Sequence, residues 1–412
     1  MRLRIGAPVW LSRTGRRQTY PALQGRQRAD VVIVGGGITG AGIAQVFAEA
    51  GVQVVLLEAE LVGQGSTGAS TALLLQETDE EFSSLEKRYG RARATMIWEL
   101  GRQSIQQVVA TLRRRHVACD MAHRDTIYYT MNPDAVADLR GEYQRRRRAG
   151  LSADWLDPAR LLAKAGIAGK GAIRSRGNAQ LNPYRACVGL LRTAASDGAR
   201  IFERSAVRRI DASRAGVVVR TRGGIVEAER VIVATGYATP EFASLVGRFE
   251  MKHTYVLATR PITTRERRRL GLGELLLWDT ERPYHYVRWG PGHRLLLGGN
   301  DRPLVPPARR KQAFAASTRR LREYLTHLLP DLDNIEIEAA WEGLFASTPD
   351  GLPYIGSHRR YPRHLFALGY GGNGMTFGFL ASRLLLDAHR DIDNPQLQLF
   401  AFNRFRSVQS RK

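Results

Sequence analysis

Apolar runs interrupted by glycines mark the first regular unit of the chain. Residues 31–34 are all apolar, which is typical of a strand buried on both faces of a parallel sheet. Apolar residues then recur at helical spacing over 43–50, and Gly51 ends that helix. A second apolar run, 52–57, stops at Glu58. The pattern predicts a strand–helix–strand unit.

The remaining pattern mixes helices with strands. Helical periodicity dominates at 84–115, 134–148, 183–197, 308–329 and 376–389. Strand-like patterns cover 126–130, 206–229, 231–234, 254–258, 274–278, 284–288 and 295–298. No internal repeat or low-complexity segment is present. Residues 1–28 are polar and basic without periodicity, so we expect them to form an N-terminal arm.

Length and composition indicate an ordinary globular protein of more than one domain. The chain has 412 residues, whereas single domains commonly have about 100–200. It is 43% hydrophobic and 25% charged, which excludes a disordered or fibrous chain. Two cysteines, Cys119 and Cys187, cannot build a disulfide framework and fit a reducing compartment.

The net charge of +23 invites a nucleic acid or an anionic membrane as partner. The arginine runs are scattered, however, and aromatic residues are not interleaved with them. Solvated surface arginines are the better interpretation, and nucleic acid is not an expected partner.

Two charge-free stretches of 18 residues, 31–48 and 365–382, have the minimum length of a membrane span. Each contains five glycines, so we interpret both as buried backbone that turns near a ligand. The N-terminal sequence lacks a convincing signal peptide. We expect no integral membrane span and a cytoplasmic location.

The spacing of Gly35, Gly37 and Gly40 predicts a dinucleotide site. The three glycines form G-x-G-x-x-G directly after the first strand and before the first helix. They permit a tight turn, close approach of a pyrophosphate, and close packing of helix on strand. Glu58 ends the second strand, where a carboxylate accepts hydrogen bonds from a ribose.

Three further segments are rich in small residues, and the first of them would let a flat ring system and a pyrophosphate lie against its backbone. They are GQGSTGASTALLL at 63–75, VIVATGY at 231–237 and GYGGNGM at 369–375. The last precedes a helix whose positive end would stabilise negative charge on a reduced flavin. Each segment alone is typical of an ordinary turn.

Together these segments resemble the flavin-dependent D-amino-acid oxidase superfamily, which includes glycine oxidase and sarcosine oxidase. DVVIVGGGITGAGIA, GSTGASTALL, VIVATGY, RLLLGG at 294–299, and WEG…TPDGLPYIG at 341–356 before GYGGNGMT carry the resemblance. It extends from about Asp30 to about Asp387. The resemblance implies an α/β fold, α+β overall. A doubly wound, Rossmann-like FAD domain would be assembled from discontinuous segments, beside a substrate domain with an antiparallel sheet.

The resemblance also implies domain bounds and cofactor contacts. The FAD-binding domain would comprise 29–90, 170–248 and 340–400, and the substrate domain 91–169 and 249–339. Noncovalent FAD is expected, since no cysteine lies in the last third of the chain. The expected contacts are Gly35, Gly37, Ile38, Thr39, Gly40, Glu58, Ser66, Ser70, Thr71, Val207, Ala234, Thr235, Gly236, Gly371, Gly372, Asn373, Gly374 and Met375.

This chain departs from its resembling relatives at the substrate residues. Phe345 stands where relatives have a carboxylate-binding arginine, and Thr376 where others have a carboxylate-binding lysine. Leu296 replaces a lysine that helps oxygen react with flavin. We therefore expect the electron acceptor to be either O₂ or a quinone or electron-transfer protein.

Residues 284–288 offer a substitute carboxylate clamp. On a strand, Tyr284, Tyr286 and Arg288 share one face, and His285 lies on the other. Arg288 would bind a substrate carboxylate through two hydrogen bonds, with the tyrosines and Phe345 as walls. The alternative is a sheet-surface arginine next to a turn. No catalytic base is predicted.

The leading hypothesis is an FAD-dependent oxidoreductase that oxidises a C–N bond of an amine or amino-acid derivative by hydride transfer to flavin N5. Alternatives are a dehydrogenase of a hydroxy substrate, an RNA-associated flavoprotein and a non-catalytic flavin-binding module. His116, Cys119 and His123 have a spacing that suits a metal, but lack a fourth ligand nearby, so no metal site is predicted.

Overall fold

The computed structural model describes residues 4–12 and 18–405. The strands are β1 (Gly25–Val34), β2 (Val54–Leu57), β3 (Leu73–Leu74), β4 (Ala122–Thr130), β5 (Asp154–Leu156), β6 (Gly171–Gln180), β7 (Arg200–Phe202), β8 (Arg209–Ala212), β9 (Val217–Arg220), β10 (Gly224–Gly236), β11 (Glu250–Thr259), β12 (Leu276–Asp279), β13 (Tyr286–Trp289), β14 (Leu295–Pro303), β15 (Ile337–Ser347), β16 (Tyr354–His358) and β17 (Tyr361–Leu368). The helices are α1 (Val9–Ser12), α2 (Ile38–Glu49), α3 (Ser66–Ala69), α4 (Phe82–Tyr89), α5 (Arg91–Arg114), α6 (Val136–Arg148), α7 (Pro158–Ala165), α8 (Pro183–Ser196), α9 (Ala243–Val246), α10 (Thr264–Leu270), α11 (Arg310–Leu328) and α12 (Gly374–His389).

The first sheet has the strand order β16-β17-β10-β1-β2-β7, and β8 and β9 extend it as a meander beside β10. The strands from β17 to β7 run parallel. Val31 and Ile33 pack on one face against Phe47 of α2. Val32 packs on the other face with Val219 of the meander. Both faces are covered, which explains why the first strand is apolar without alternation.

The second sheet has the order β15-β11-β14-β13-β12-β4-β6-β3 and is antiparallel except between β4 and β12. One face packs against α11 through Leu321 and Leu325, which share a core with Leu257 and Leu297. The fold class is therefore confirmed: a doubly wound, mainly parallel sheet stands beside a largely antiparallel one.

The predicted domain bounds need correction. β6 and most of β15 were assigned to the FAD domain, yet both strands pair in the second sheet. Conversely, α5 was assigned to the substrate domain, but its Leu100 and Val108 belong to the core under the first sheet. The predicted helix over 84–115 is also divided, because Gly90 adopts a φ of +79° between α4 and α5.

The described part of the predicted N-terminal arm is packed on the molecule. Trp10 is 2% exposed, and its indole N–H donates to the carbonyl of Ser70 at 2.9 Å. Gly6 forms an antiparallel bridge with Trp341 of β15. Residues from Gly25 onward belong to β1, so the predicted limit of the arm at 28 is too late.

Candidate active site

The first glycine turn connects β1 to α2 with very little space between the two. A Cβ on Gly40 would lie 1.9 Å from the carbonyl oxygen of Gly35, so only glycine permits this approach. Gly37 is the N-cap residue of α2 and has no side chain to satisfy the first N–H groups of the helix. The N–H of Ile38 donates to the Thr67 hydroxyl, and the N–H groups that follow it at this helix N-terminus suit a pyrophosphate.

Glu58 follows β2 and faces this turn. Its Oε2 accepts a 2.7 Å hydrogen bond from the N–H of Gly36, and Oε1 accepts one of 2.8 Å from Glu60. Burial raises the pKa of the Glu58 carboxyl, and the two backbone hydrogen bonds oppose that rise. The carboxylate is therefore fixed at the end of the strand, where a ribose hydroxyl would meet it.

The small-residue loop is held to both sheets by its hydroxyl groups. The Thr67 hydroxyl accepts from the N–H of Ile38 at 2.9 Å, and Ser66 donates to the carbonyl of Leu344 at 2.6 Å. Ser70 accepts from the N–H of Ala72 at 3.0 Å. These hydroxyls fix the loop backbone between the first sheet and β15.

The third glycine turn, at residues 371–374, encloses the carboxylate of Asp79. Its Oδ2 accepts a 2.6 Å hydrogen bond from the N–H of Gly372, and Oδ1 accepts one of 2.9 Å from the Asn373 side chain. Gly371 has a φ of +57°, which favours glycine, and a Cβ there would also displace Oδ2, 2.0 Å away. The turn leads directly into α12.

One cavity of about 1150 Å³ joins the first glycine turn, the small-residue loop and the turn at residues 371–374. Its lining includes every predicted cofactor residue except Gly40, whose place is in the packing of α2 on β1. The residues concerned are Gly35, Gly37, Ile38, Thr39, Glu58, Ser66, Ser70, Thr71, Val207, Ala234, Thr235, Gly236, Gly371, Gly372, Asn373, Gly374 and Met375. The volume slightly exceeds the usual range for small-molecule sites, about 300–1,000 Å³.

Tyr284, Tyr286 and Phe345 line the same cavity. The Tyr286 hydroxyl lies 3.1 Å from the hydroxyl of Thr254 on β11. Tyr284 precedes β13 instead of belonging to it, and its hydroxyl donates to Asp79 at 3.4 Å. The second sheet thus supplies an aromatic wall opposite the glycine turns.

The predicted clamp at Arg288 is wrong. This side chain is 3% exposed and does not line the cavity. Its guanidinium donates to the carbonyls of Ala72 and Leu181, at 2.8 and 3.1 Å, and lies over the ring of Trp10. Arg288 therefore links loops beneath the sheet. His285, on the other side, pairs with Asp279 at 2.9 Å.

Sequence reasoning missed several residues that line the cavity, among them Arg4, Asp79, Thr254, Trp278, Asp301 and Lys311. Asp301 follows directly on the RLLLGGN segment, and that position was the available signal. Burial raises the pKa of Asp79 to about 7 and that of Asp301 to about 6.

Thr376 and Leu296, which stand where resembling relatives have lysines, both pack inside the protein. Thr376 is buried and donates to the carbonyl of Leu75 at 2.8 Å. Leu296 is fully buried in a cluster with Trp10 and Trp341. Neither supplies a cation for a carboxylate or for oxygen.

The residues present fit FAD. Gly35 and Gly37 leave backbone open to the cavity at the N-terminus of α2, Glu58 lies at the ribose position, and the cavity continues to an aromatic wall beyond the turn at 371–374. Those features define a flavin dinucleotide site between the two sheets.

Comparison with known proteins agrees with this geometry. The family described as FAD dependent oxidoreductase (DAO) matches residues 30–388, and the chain belongs to it. It is an FAD-dependent oxidoreductase of the D-amino-acid oxidase and glycine oxidase-like superfamily, with noncovalently bound FAD.

Individual relatives are distant but cover most of the chain. Glycine oxidase of Geobacillus kaustophilus is 27% identical over 372 residues, 87% of this chain and 92% of that protein. Gamma-glutamylputrescine oxidoreductase of Escherichia coli is 28% identical over 366 residues, 88% and 83% of the two. The crystal structure of the same Geobacillus glycine oxidase matches with a TM-score of 0.77 and 24% identity, over 92% of this chain and 98% of that one.

The two charge-free stretches are used inside the fold. They form the end of β1 with α2 and part of β17 with α12, and the two helices pack against each other. Within residues 4–12 and 18–405, no helix is long and apolar enough to cross a membrane. Over the same residues, no group of three or more His, Cys, Asp or Glu side chains could hold a metal ion.

Proposed function

We propose that this protein oxidises the C–N bond of an amine or amino-acid derivative. One observation carries the proposal: a single cavity connects the flavin-binding turns to the wall of Tyr284, Tyr286 and Asp79. Relatives named glycine oxidase and gamma-glutamylputrescine oxidoreductase support a C–N substrate. Bound FAD supplies a hydride acceptor at N5 for the carbon next to the nitrogen.

The protein's own contribution is binding and orientation. The substrate nitrogen must be neutral, so that its lone pair assists departure of the hydride. Tyr284 and Tyr286 exclude water from one side of the substrate, and Phe345 adds an apolar surface at the edge of β15. No protein base takes part in this scheme, because the departing hydrogen carries its electron pair.

The lysines of the cavity support a proposal about the electron acceptor. Among the described residues, Lys311 is the only lysine in the lining, and it is exposed at the start of α11. Buried Leu296 occupies the position of an oxygen-activating lysine in relatives. We propose a quinone or an electron-transfer protein as acceptor instead of O₂.

The experiment is anaerobic reduction of the FAD-loaded protein with matched primary amines, secondary amines and alcohols. Loss of the oxidised-flavin absorbance with amines, and not with alcohols of the same carbon skeleton, supports the proposal. Reduction by the alcohols alone contradicts it and favours the hydroxy-substrate alternative. Re-oxidation rates with air and with a soluble quinone then identify the acceptor class.

A further inference from the structure

The substrate end of the cavity is walled by aromatic rings. Trp278, Tyr284 and Tyr286 all line it. The ring centroids of Trp278 and Tyr284 are 6.2 Å apart, and those of Tyr284 and Tyr286 are 6.1 Å apart. Aromatic faces attract ammonium and quaternary ammonium groups through their electron-rich surfaces.

Asp79 contributes a carboxylate to this wall that the protein does not neutralise. Its three hydrogen bonds come from the N–H of Gly372, the amide of Asn373 and the hydroxyl of Tyr284, all uncharged donors. The donors fix the carboxylate in place and leave its negative charge to face the cavity.

Asp301 contributes a second carboxylate. Its Oδ1 is buried and finds no hydrogen-bond partner among residues 4–12 and 18–405. The Thr254 hydroxyl forms a hydrogen bond with the Asp301 carboxyl. Of the nearby basic side chains, Lys252 lies 3.1 Å from Glu250, and His285 lies 2.9 Å from Asp279. A buried carboxylate oxygen without a partner is costly unless a ligand supplies one.

Little buried positive charge is placed to bind a substrate carboxylate at this end. Arg4 donates to the carbonyl of Gln64, on the small-residue loop. Lys311 is exposed, Arg288 lies outside the lining, and Phe345 replaces an arginine. Of the charged side chains that line the substrate end, the two aspartates are partly buried and Lys311 is exposed.

We propose that this wall binds a positively charged group of the substrate, so that the substrate is an amine with a second, cationic nitrogen some bonds away from the reacting one. The inference rests on the proposed function and names its substrate class. The distal ammonium pairs with Asp79 and Asp301 and lies against the rings of Trp278 and Tyr284. The reacting nitrogen, at the flavin, stays neutral.

The raised pKa values of Asp79 and Asp301 are consistent with a site for a positively charged group. Burial raises the pKa of both carboxyls, to about 7 for Asp79 and about 6 for Asp301, because it removes water from their charged forms. The Thr254 hydroxyl, Lys252 and His285 oppose the rise at Asp301 without cancelling it. A bound ammonium supplies a counter-ion and stabilises the ionised forms.

Three ligands of similar length test the proposal: 1,4-diaminobutane, pentylamine and 5-aminopentanoate. Each is titrated anaerobically into FAD-loaded protein at pH 8, and binding is read from the perturbed visible spectrum of oxidised flavin. We expect the diamine to bind at least about tenfold more tightly than pentylamine, and the amino acid to bind most weakly. Equal affinities, absence of binding, or tightest binding of the carboxylate would overturn the inference.

Substitutions of Asp79 and Asp301 test whether these two side chains cause the preference for the diamine. Asp301→Asn and Asp79→Asn keep the side-chain shape and should each reduce the diamine-to-pentylamine affinity ratio roughly tenfold. Asp393→Asn removes an exposed carboxylate outside the cavity lining and should leave the ratio unchanged. A ratio that is unaltered in both cavity variants, each with normal FAD content, contradicts the proposal.

The same titrations separate the two proposals. Tight binding of the diamine without loss of flavin absorbance, for every amine tried, would leave the cationic site intact and remove the amine-oxidising function. Flavin reduction by all three ligands, bound with equal affinity, would support the amine-oxidising function and remove the cationic site.

Discussion

The N–H of Gly36 donates a 2.7 Å hydrogen bond to Oε2 of Glu58, so the glycine turn and the carboxylate expected to bind the ribose are linked directly. The contact joins the loop after β1 to the end of β2. Any dinucleotide that rests on the turn meets a carboxylate whose position is already fixed. Pre-organisation of this kind reduces the entropy lost on binding.

Replacement of Glu58 by alanine should therefore weaken FAD binding. The ribose loses a charged hydrogen-bond acceptor, and the glycine turn loses its hydrogen bond to Glu58. We therefore expect the dissociation constant of FAD to rise about 10- to 100-fold. Fluorescence titration of flavin into the FAD-free protein measures it. Glu229→Ala, at an exposed position, is the control. An unchanged constant in Glu58→Ala would mean that the ribose lies elsewhere.

Two Gly→Ala substitutions should change stability in opposite directions. In Gly40→Ala the new methyl group meets the Gly35 carbonyl, so we expect a loss of at least about 1–3 kcal/mol and of FAD binding. Gly141 lies in α6, and a Cβ there meets nothing within 4 Å. Gly141→Ala should stabilise by about 0.5–1 kcal/mol. Denaturant unfolding measures both, and a tolerated Gly40→Ala would contradict the packing described for α2.

A buried ion pair fastens the C-terminal segment to the loop before β16. Arg404 donates two hydrogen bonds of 2.7 Å to Asp350, and both side chains are at most 2% exposed. Arg404→Met leaves the carboxylate unpaired and should cost about 3–5 kcal/mol. Arg230→Met, which breaks a pair with the exposed Asp391, should cost less than about 1 kcal/mol. Similar losses in the two variants would argue against a structural role for the buried pair.

The same pair predicts acid sensitivity. Burial alone would raise the pKa of Asp350, but the hydrogen bonds and charge of Arg404 outweigh it and lower the pKa. An acid whose folded-state pKa is lowered stabilises the protein above its unfolded pKa of about 3.9, and this contribution is lost as the pH falls through the folded value. In Arg404→Met, the drop in melting temperature relative to wild type should therefore shrink in acid.

Asp79 should have the opposite pH dependence. Its folded-state pKa is raised to about 7, so the folded protein binds the proton more tightly than the unfolded chain does. Its contribution therefore becomes less favourable as pH rises from about 4 to about 7. Asp79→Asn should raise the melting temperature of the FAD-loaded protein most above pH 7, with a difference that fades toward pH 4. A difference that grows toward acid would show that Asp79 is ionised and paired.

The local parts of the site could be predicted from sequence. Gly35, Gly37, Gly40 and Glu58 act through near neighbours, so spacing between apolar runs was enough to place them. Strand alternation also put Tyr286 and Arg288 on one face of β13, as predicted from sequence.

The alternation of side chains along β13 does not predict how far the cavity extends along one face of the strand. Tyr286 lines the cavity, whereas Arg288 lies over the ring of Trp10 and donates to the carbonyl of Ala72. The segment of Trp10 carries no periodicity, so its burial could not be expected. Asp79 contacts a turn almost three hundred positions later in the chain, and no local pattern reports such a contact.

The most direct test of the central claim is the visible spectrum of the purified protein before and after anaerobic addition of 1,4-diaminobutane. We predict a yellow protein that releases FAD on denaturation, and whose oxidised-flavin absorbance disappears when the diamine is added. A protein that neither contains nor binds FAD, or whose flavin stays oxidised with every amine while alcohols reduce it, would contradict the account.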